Sequence, residues 1–166
     1  MLDIKFNNIC NLACKMCDPV SSSKLATEWK QLGWTDQNTP YLDTNSKTIL
    51  PDWQNTNYQT NKINKIWDEI IDNIQFVKRI KFTGGEPFMN PDILEIIRSV
   101  LERGFSNLVL TNGMRPMMRP AIRSGLLKLN TEFSDKLTVR VSVDHFNQVI
   151  HEKERGLGSW APFLVS

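Results

Sequence analysis

The sequence predicts an α/β fold built on a parallel sheet. Two observations carry that expectation. Short apolar runs of strand length alternate with longer runs whose apolar residues recur at helical spacing. Their order, strand then helix and then strand again, is that of βαβ units. At 166 residues with 40% hydrophobic content, the chain suits a single domain with a sizeable core.

Taken in order, Leu2, Ile4 and Phe6 read as a first strand. Residues 21–34 come next as a helix, with Ser21, Ser22 and Ser23 available to cap it. Residues 35–62 are rich in Asn, Asp, Thr and Gln and contain Pro40 and Pro51, which marks a polar insert. Ile63, Ile66, Trp67, Ile70, Ile71, Ile74 and Val77 then recur at helical spacing. The second strand is 79–83, RIKFT, running into GGEP. Pro91 opens a helix whose apolar face is Ile93, Leu94, Ile96, Ile97, Val100 and Leu101, and Gly104 is placed to end it. Residues 107–111 form a third strand that turns at Asn112-Gly113. Residues 117–133 read as helical despite Pro120 and Gly125. Residues 137–144, LTVRVSVD, form a fourth strand, and the valines of VRVSV give it the character of a strand buried on both faces. In the tail, a new helix is expected to begin at Ser159. Trp29, Trp34, Trp53 and Trp67 read as packing residues, with Trp53 placed in the polar insert where a lid would lie.

A formal charge of +2, from 20 basic and 18 acidic residues, is nearly balanced. No basic run interleaved with aromatics signals nucleic acid. No run approaches the roughly 18 apolar residues of a membrane span, and the N-terminus lacks a signal-peptide core. Three cysteines are too few and too close for a disulfide framework, so a reducing cytoplasm is the expected compartment.

Those three, Cys10, Cys14 and Cys17, lie in FNNICNLACKMCDP with the spacing C-x3-C-x2-C. Thiolates at such spacings hold iron–sulfur clusters, and a four-iron cube normally takes four protein ligands. With three, one iron stays open to a ligand that is not protein, as catalytic zinc sites keep an open position. Asn7, Asn8 and Asn11 can turn the backbone and donate to sulfur. Two plainer readings stand beside the cluster: a structural zinc site completed by His145, His151 or Asp18, and a loop of free thiols. The 3+2 spacing suits zinc poorly, because zinc ligands usually come in pairs.

With C-x3-C-x2-C after the first strand, GGEP after the second, TNG after the third and SVD in the fourth, the chain resembles the radical S-adenosylmethionine (radical SAM) superfamily along essentially its whole length. CNLACKMC with FTGGEP is most similar to members that carry a C-terminal SPASM or twitch domain. The resemblance implies a parallel (β/α)6 partial TIM barrel, of which about four βα units are present in residues 1–166. It implies a [4Fe–4S] cluster on Cys10, Cys14 and Cys17, whose open iron binds S-adenosyl-L-methionine. Reductive cleavage of that cofactor gives a 5′-deoxyadenosyl radical that removes hydrogen from a substrate.

On the same resemblance, Met16 packs against the adenine, or else fills core. Gly84 and Gly85 let backbone carbonyls approach the methionine ammonium, with Glu86 adding negative charge, or else form an ordinary turn. Asn112 points its amide toward the site, or only makes the turn. Ser142 and Asp144 offer oxygens to the ribose or the substrate, Asp144 alternatively capping the segment that begins at His145. His145, His151 and the charges of HEKERG contact substrate or, the favoured reading, cover a solvated face. The implied partners are a one-electron reductant of flavodoxin or ferredoxin type and a peptide or small-molecule substrate. The alternatives are a non-catalytic iron–sulfur or zinc module for electron transfer or scaffolding, and a radical SAM enzyme acting on a small molecule or nucleotide. Two departures from the family pattern stand out. No cysteine comes after Cys17 to hold an auxiliary cluster, and no fifth or sixth strand can be read. The chain is therefore expected to be an incomplete catalytic domain, a fragment or half of a split protein, prone to self-association through its open edge.

Overall fold

The computed structural model describes residues 1–5, 9–19, 21–33 and 76–160. In chain order these form β1 (Leu2–Lys5), α1 (Ser23–Gln31), β2 (Arg79–Thr83), one 3-10 turn (Pro87–Met89), α2 (Ile93–Glu102) and β3 (Ser106–Thr111). Then come α3 (Arg115–Met118), α4 (Pro120–Glu132), β4 (Leu137–Val141) and α5 (Gln148–Arg155). Phe6, Asn7, Asn8, the polar insert, Trp34, Trp53, Trp67 and the helix expected from Ile63 up to residue 75 lie outside the described residues.

All four strands are parallel and lie in chain order, β1-β2-β3-β4. The register sets Ile4 opposite Phe82, Phe82 opposite Val109, and Val109 opposite Val139. This apolar row packs with Ile80 against α2 and α4, in a core that includes Phe88, Ile93, Ile96, Ile97, Val100, Ile122, Leu126 and Leu129. Residues i, i+3, i+4 and i+7 of α2 supply that face, as an amphipathic helix should. The alternate residues turn to the other face of the sheet. There Lys81 pairs with Asp3, and Thr83 Oγ1 donates to Asp3 Oδ1 at 2.6 Å.

The helix read over 117–133 is two helices. Arg119 takes an extended ψ of 134° because Pro120 disfavours the helical region for the residue before it, and Pro120 then starts α4. Gly125 sits where α4 meets α2, and a Cβ there would overlap the Leu94 side chain. The helix tolerates glycine at that point because the two helices pack closely.

The fourth strand also differs from expectation. It ends at Val141, and its burial alternates instead of being continuous. Among the described residues it has a neighbour on one side only, β3, so Val141 and Val143 are exposed. The tail holds a helix earlier than predicted: α5 spans Gln148–Arg155, and Asn147 Oδ1 caps it by accepting from Val149 N at 2.9 Å and Ile150 N at 3.3 Å. Ser159 is buried in a bend and starts no helix among the described residues. No described helix is long and apolar enough to cross a membrane.

Candidate functional site

The C-terminal ends of β1, β2 and β3, with the residue just past β4, surround a cleft of about 330 Å³. Cys10, Cys14 and Cys17 all line it, together with Met16, Gly84, Gly85, Asn112 and Ser142. Residues far apart in sequence thus reach one end of the sheet, where parallel folds place their sites.

The cysteine loop is held from three directions. At the start of α1, Ser22 Oγ donates to Leu12 O at 2.6 Å and accepts from Leu25 N at 3.2 Å, while Ser23 Oγ accepts from Cys10 N at 3.2 Å. Ser21 Oγ accepts from Lys5 Nζ at 3.0 Å. Ser22 therefore caps the helix and anchors the loop with the same hydroxyl, and Ser23 adds a second anchor. From β3, Asn112 Nδ2 donates to Asn11 Oδ1 at 2.9 Å and approaches Cys10 Sγ at 4.0 Å. From α5, Glu154 O accepts from Lys15 N at 2.9 Å, and the two side chains pair at 3.6 Å. Ser22→Ala removes two hydrogen bonds at a position with no solvent exposure. We expect a loss of about 1–3 kcal/mol, read as a lowered midpoint in denaturant titration.

The thiols differ in proton affinity. Burial pushes the Cys10 thiol up, against a hydrogen bond from Leu12 N. Cys14 and Cys17 share a hydrogen bond that raises Cys14 and lowers Cys17, the latter to about 7, and the nearby Arg155 charge favours both thiolates. The loop thus presents one thiol ready to ionise near neutral pH, as metal ligation requires.

Two glycines shape the opposite wall. Gly84 and Gly85 have φ of 79° and 45°, and a Cβ on Gly84 would overlap the Lys5 stem. Glu86 turns inward: its carboxylate accepts from Thr111 Oγ1 at 2.7 Å, Asn112 N at 2.8 Å and Phe88 N at 3.2 Å. At 1% exposure it does not line the cleft. Its oxygens serve to lock the end of β2 to the end of β3. Asn112 does both things asked of it, since its Oδ1 accepts from Met114 N at 2.9 Å to make the turn while its amide faces the loop. Ser142 reaches the cleft and its N donates to Thr111 O at 2.9 Å. Asp144 lies past the strand end and turns to Arg155, with Oδ1 and Oδ2 at 2.9 and 2.6 Å from Nη2 and Nε. Met16 stands at the rim, 65% exposed.

HEKERG is a solvated face only in part: His151 and Arg155 are buried, Lys153 and Gly156 exposed. His151 has no exposed surface, its ring meeting Trp160 edge-on at 5.3 Å, and Arg155 is 6% exposed and lines the cleft. Charge density in the sequence concealed this. The available signal was periodic: His151 and Arg155 are four residues apart and share one helix face. His145 Nδ1 accepts from Asn147 N at 2.9 Å.

The chain matches the Radical SAM superfamily profile over residues 4–164. It belongs to the radical SAM superfamily. It is also 33% identical over 84 residues to an S-adenosylmethionine-dependent nucleotide dehydratase of Selenomonas ruminantium, covering 49% of this chain and 28% of that protein. Over 98 residues it is 34% identical to the antilisterial bacteriocin subtilosin biosynthesis protein AlbA of Bacillus subtilis (strain 168), covering 58% of this chain and 20% of that protein. The matched regions thus span less than a third of either relative's length. Membership implies a four-iron cluster and S-adenosylmethionine as the cofactor set.

The residues present fit that radical SAM cofactor set. Among the described residues no three His, Cys, Asp or Glu side chains are grouped tightly enough to hold a single metal ion. A cube asks for something else, because each thiolate binds a different iron and the three need not converge on one point. Of the side chains named as a fourth zinc ligand, Asp18 Oδ1 accepts from Ser21 N at 2.7 Å, His145 Nδ1 accepts from Asn147 N at 2.9 Å, and His151 meets Trp160 edge-on; none of the three lines the cleft.

Proposed function

We propose that this chain is the cofactor-binding portion of a radical SAM enzyme that modifies a peptide. The observation that carries the reading is the convergence of Cys10, Cys14 and Cys17 with the Gly84-Gly85 turn and the Asn112 amide on one cleft at the C-terminal strand ends. When bound there, the [4Fe–4S] cluster and S-adenosylmethionine supply a 5′-deoxyadenosyl radical able to remove a substrate hydrogen atom. The chain's own residues do the rest. The three thiolates hold iron, and Asn112 orients the loop around Cys10. Gly84 and Gly85 leave room for a ligand to approach backbone carbonyls, and Met16 offers a flexible apolar thioether at the rim. Leu12 and Leu110 supply apolar wall that excludes water. Ser142 offers a hydroxyl to the cofactor or substrate.

Similarity to a bacteriocin biosynthesis protein, over a longer stretch than to the nucleotide dehydratase, supports the peptide reading. The dehydratase match supports a nucleotide as the second reading. The exposed outer edge of β4 supports a larger (β/α)6 barrel, of which these four strands are one part. An air-sensitive cluster suits a reducing cytoplasm, with a flavodoxin- or ferredoxin-like donor supplying single electrons.

The test is anaerobic reconstitution with iron and sulfide, then electron paramagnetic resonance of the reduced protein with and without S-adenosylmethionine. Addition should alter the spectrum. Gly85→Val, which forces a β-branched residue to a φ of 45°, should weaken that change while iron content stays near wild type. A spectrum indifferent to S-adenosylmethionine in the unaltered chain puts the electron-transfer module in its place. Substrate profiling of the reconstituted protein, peptide against nucleotide, then separates the two enzymatic readings.

A further inference from the structure

Helix α5 ends against the cysteine loop. Its last residue, Arg155, lines the cleft beside Cys14 and Cys17, with a side chain 8% exposed. Asp144, 17% exposed, holds the guanidinium with both oxygens, at 2.9 and 2.6 Å, and is not among the residues that line the cleft. The guanidinium thus meets the cleft, and the charges of both partners reach Cys17 with opposite effect. The backbone bond from Lys15 N to Glu154 O, at 2.9 Å, fixes the helix end and the loop to each other, so the charge cannot drift.

Burying such a pair is costly and adds little to stability, so its place calls for another explanation. The last carbonyls of a helix carry partial negative charge, which disfavours electron gain beside them. A guanidinium at that position reverses the sign of the local field. The other cation lining the cleft is Lys5, held to Ser21 on the β1 side.

We infer that Arg155, paired with Asp144, is a positioning residue that raises the reduction potential of a cluster held by Cys10, Cys14 and Cys17. This rests on the cluster reading given above. Reduction brings one electron from the external donor and makes or breaks no bond, so the cluster becomes more negative by one charge. A fixed, poorly solvated cation favours that more negative form. The arrangement would bring the cluster within reach of an ordinary cytoplasmic reductant.

The experiment is a redox titration of the reconstituted protein without S-adenosylmethionine, monitored by electron paramagnetic resonance. Arg155→Gln should lower the equilibrium constant for reduction about tenfold, a shift of ~59 mV to more negative potential. Arg155→Lys, which keeps the charge, should recover most of it. Asp144→Asn, which removes the guanidinium's counter-charge, should shift the midpoint the opposite way. Opposite shifts from the two halves of one ion pair are not what a purely structural role produces. An Arg155→Gln protein with wild-type iron content and an unchanged midpoint overturns the inference while leaving the cluster reading intact. Should that variant fail to retain iron, Asp144→Asn decides: no positive shift overturns the inference. Failure of the unaltered chain to take up iron removes the cluster reading and this inference with it.

Discussion

Alanine at any one of Cys10, Cys14 or Cys17 is expected to abolish iron retention, from about four irons per chain after reconstitution to near none. The sequence has no cysteine outside the loop to substitute for the lost ligand. Nor do the described residues that line the cleft include any other Cys, His, Asp or Glu. Two thiolates cannot hold a cube against water and oxygen. The measurement is iron and sulfide content with the visible absorption of the brown protein. A Cys→Ala variant that keeps a full complement of iron would show that the cluster is bound elsewhere or otherwise.

Glu86→Ala should be the most damaging single change to the fold near the site. Its buried carboxylate accepts from Thr111 Oγ1, Asn112 N and Phe88 N, and truncation strands all three donors where water does not reach. At about 1–3 kcal/mol for each unmet buried group, the loss is roughly 3 kcal/mol or more, a large share of the usual 5–15 kcal/mol. Thermal unfolding should move down by roughly 10 °C. The same residue gives a pH signature. Burial raises its pKa above the ordinary 4.5, outweighing the three hydrogen bonds that lower it. Below 4.5 both the folded and the unfolded chain hold this proton. As pH rises from there, the unfolded chain ionises first, so this carboxyl's contribution falls until the folded value is passed. Glu86→Gln should lack that slope. Unfolding midpoints of the two proteins, compared across this range, should therefore draw closer or cross as pH rises; parallel curves would refute the assignment.

Strands were legible in the sequence where a compact apolar run was bounded by a turn. RIKFT and NLVLT fall within a residue of β2 and β3 because Gly84 and Asn112-Gly113 stop them. The cysteine spacing and the GGEP turn were equally readable, since both depend on residue type and local order alone. Three features were not. The break at Arg119 comes from a proline that also suits a helix start, so periodicity runs across it. Helix α5 is hidden because its buried positions are His151 and Arg155, which hydropathy assigns to the surface. The GGEP motif indicates a negative charge near the cleft, but not that the Glu86 carboxylate turns inward to Thr111 and Asn112. In the last two cases the deciding partner, Asp144 for Arg155 and Thr111 for Glu86, is identifiable only in three dimensions.

The anchoring of the cysteine loop has a consequence for synthesis. The loop is braced by Asn112 and by Glu154, residues that leave the ribosome long after Cys17 does. At about 5–20 residues per second, roughly 7 to 27 seconds separate the emergence of the thiols from that of the last brace. Over that interval the thiols sit in an unclosed pocket, so oxygen or a stray metal has its best access to them then. The arrangement therefore favours delivery of iron to the proposed cluster site after α5 has docked.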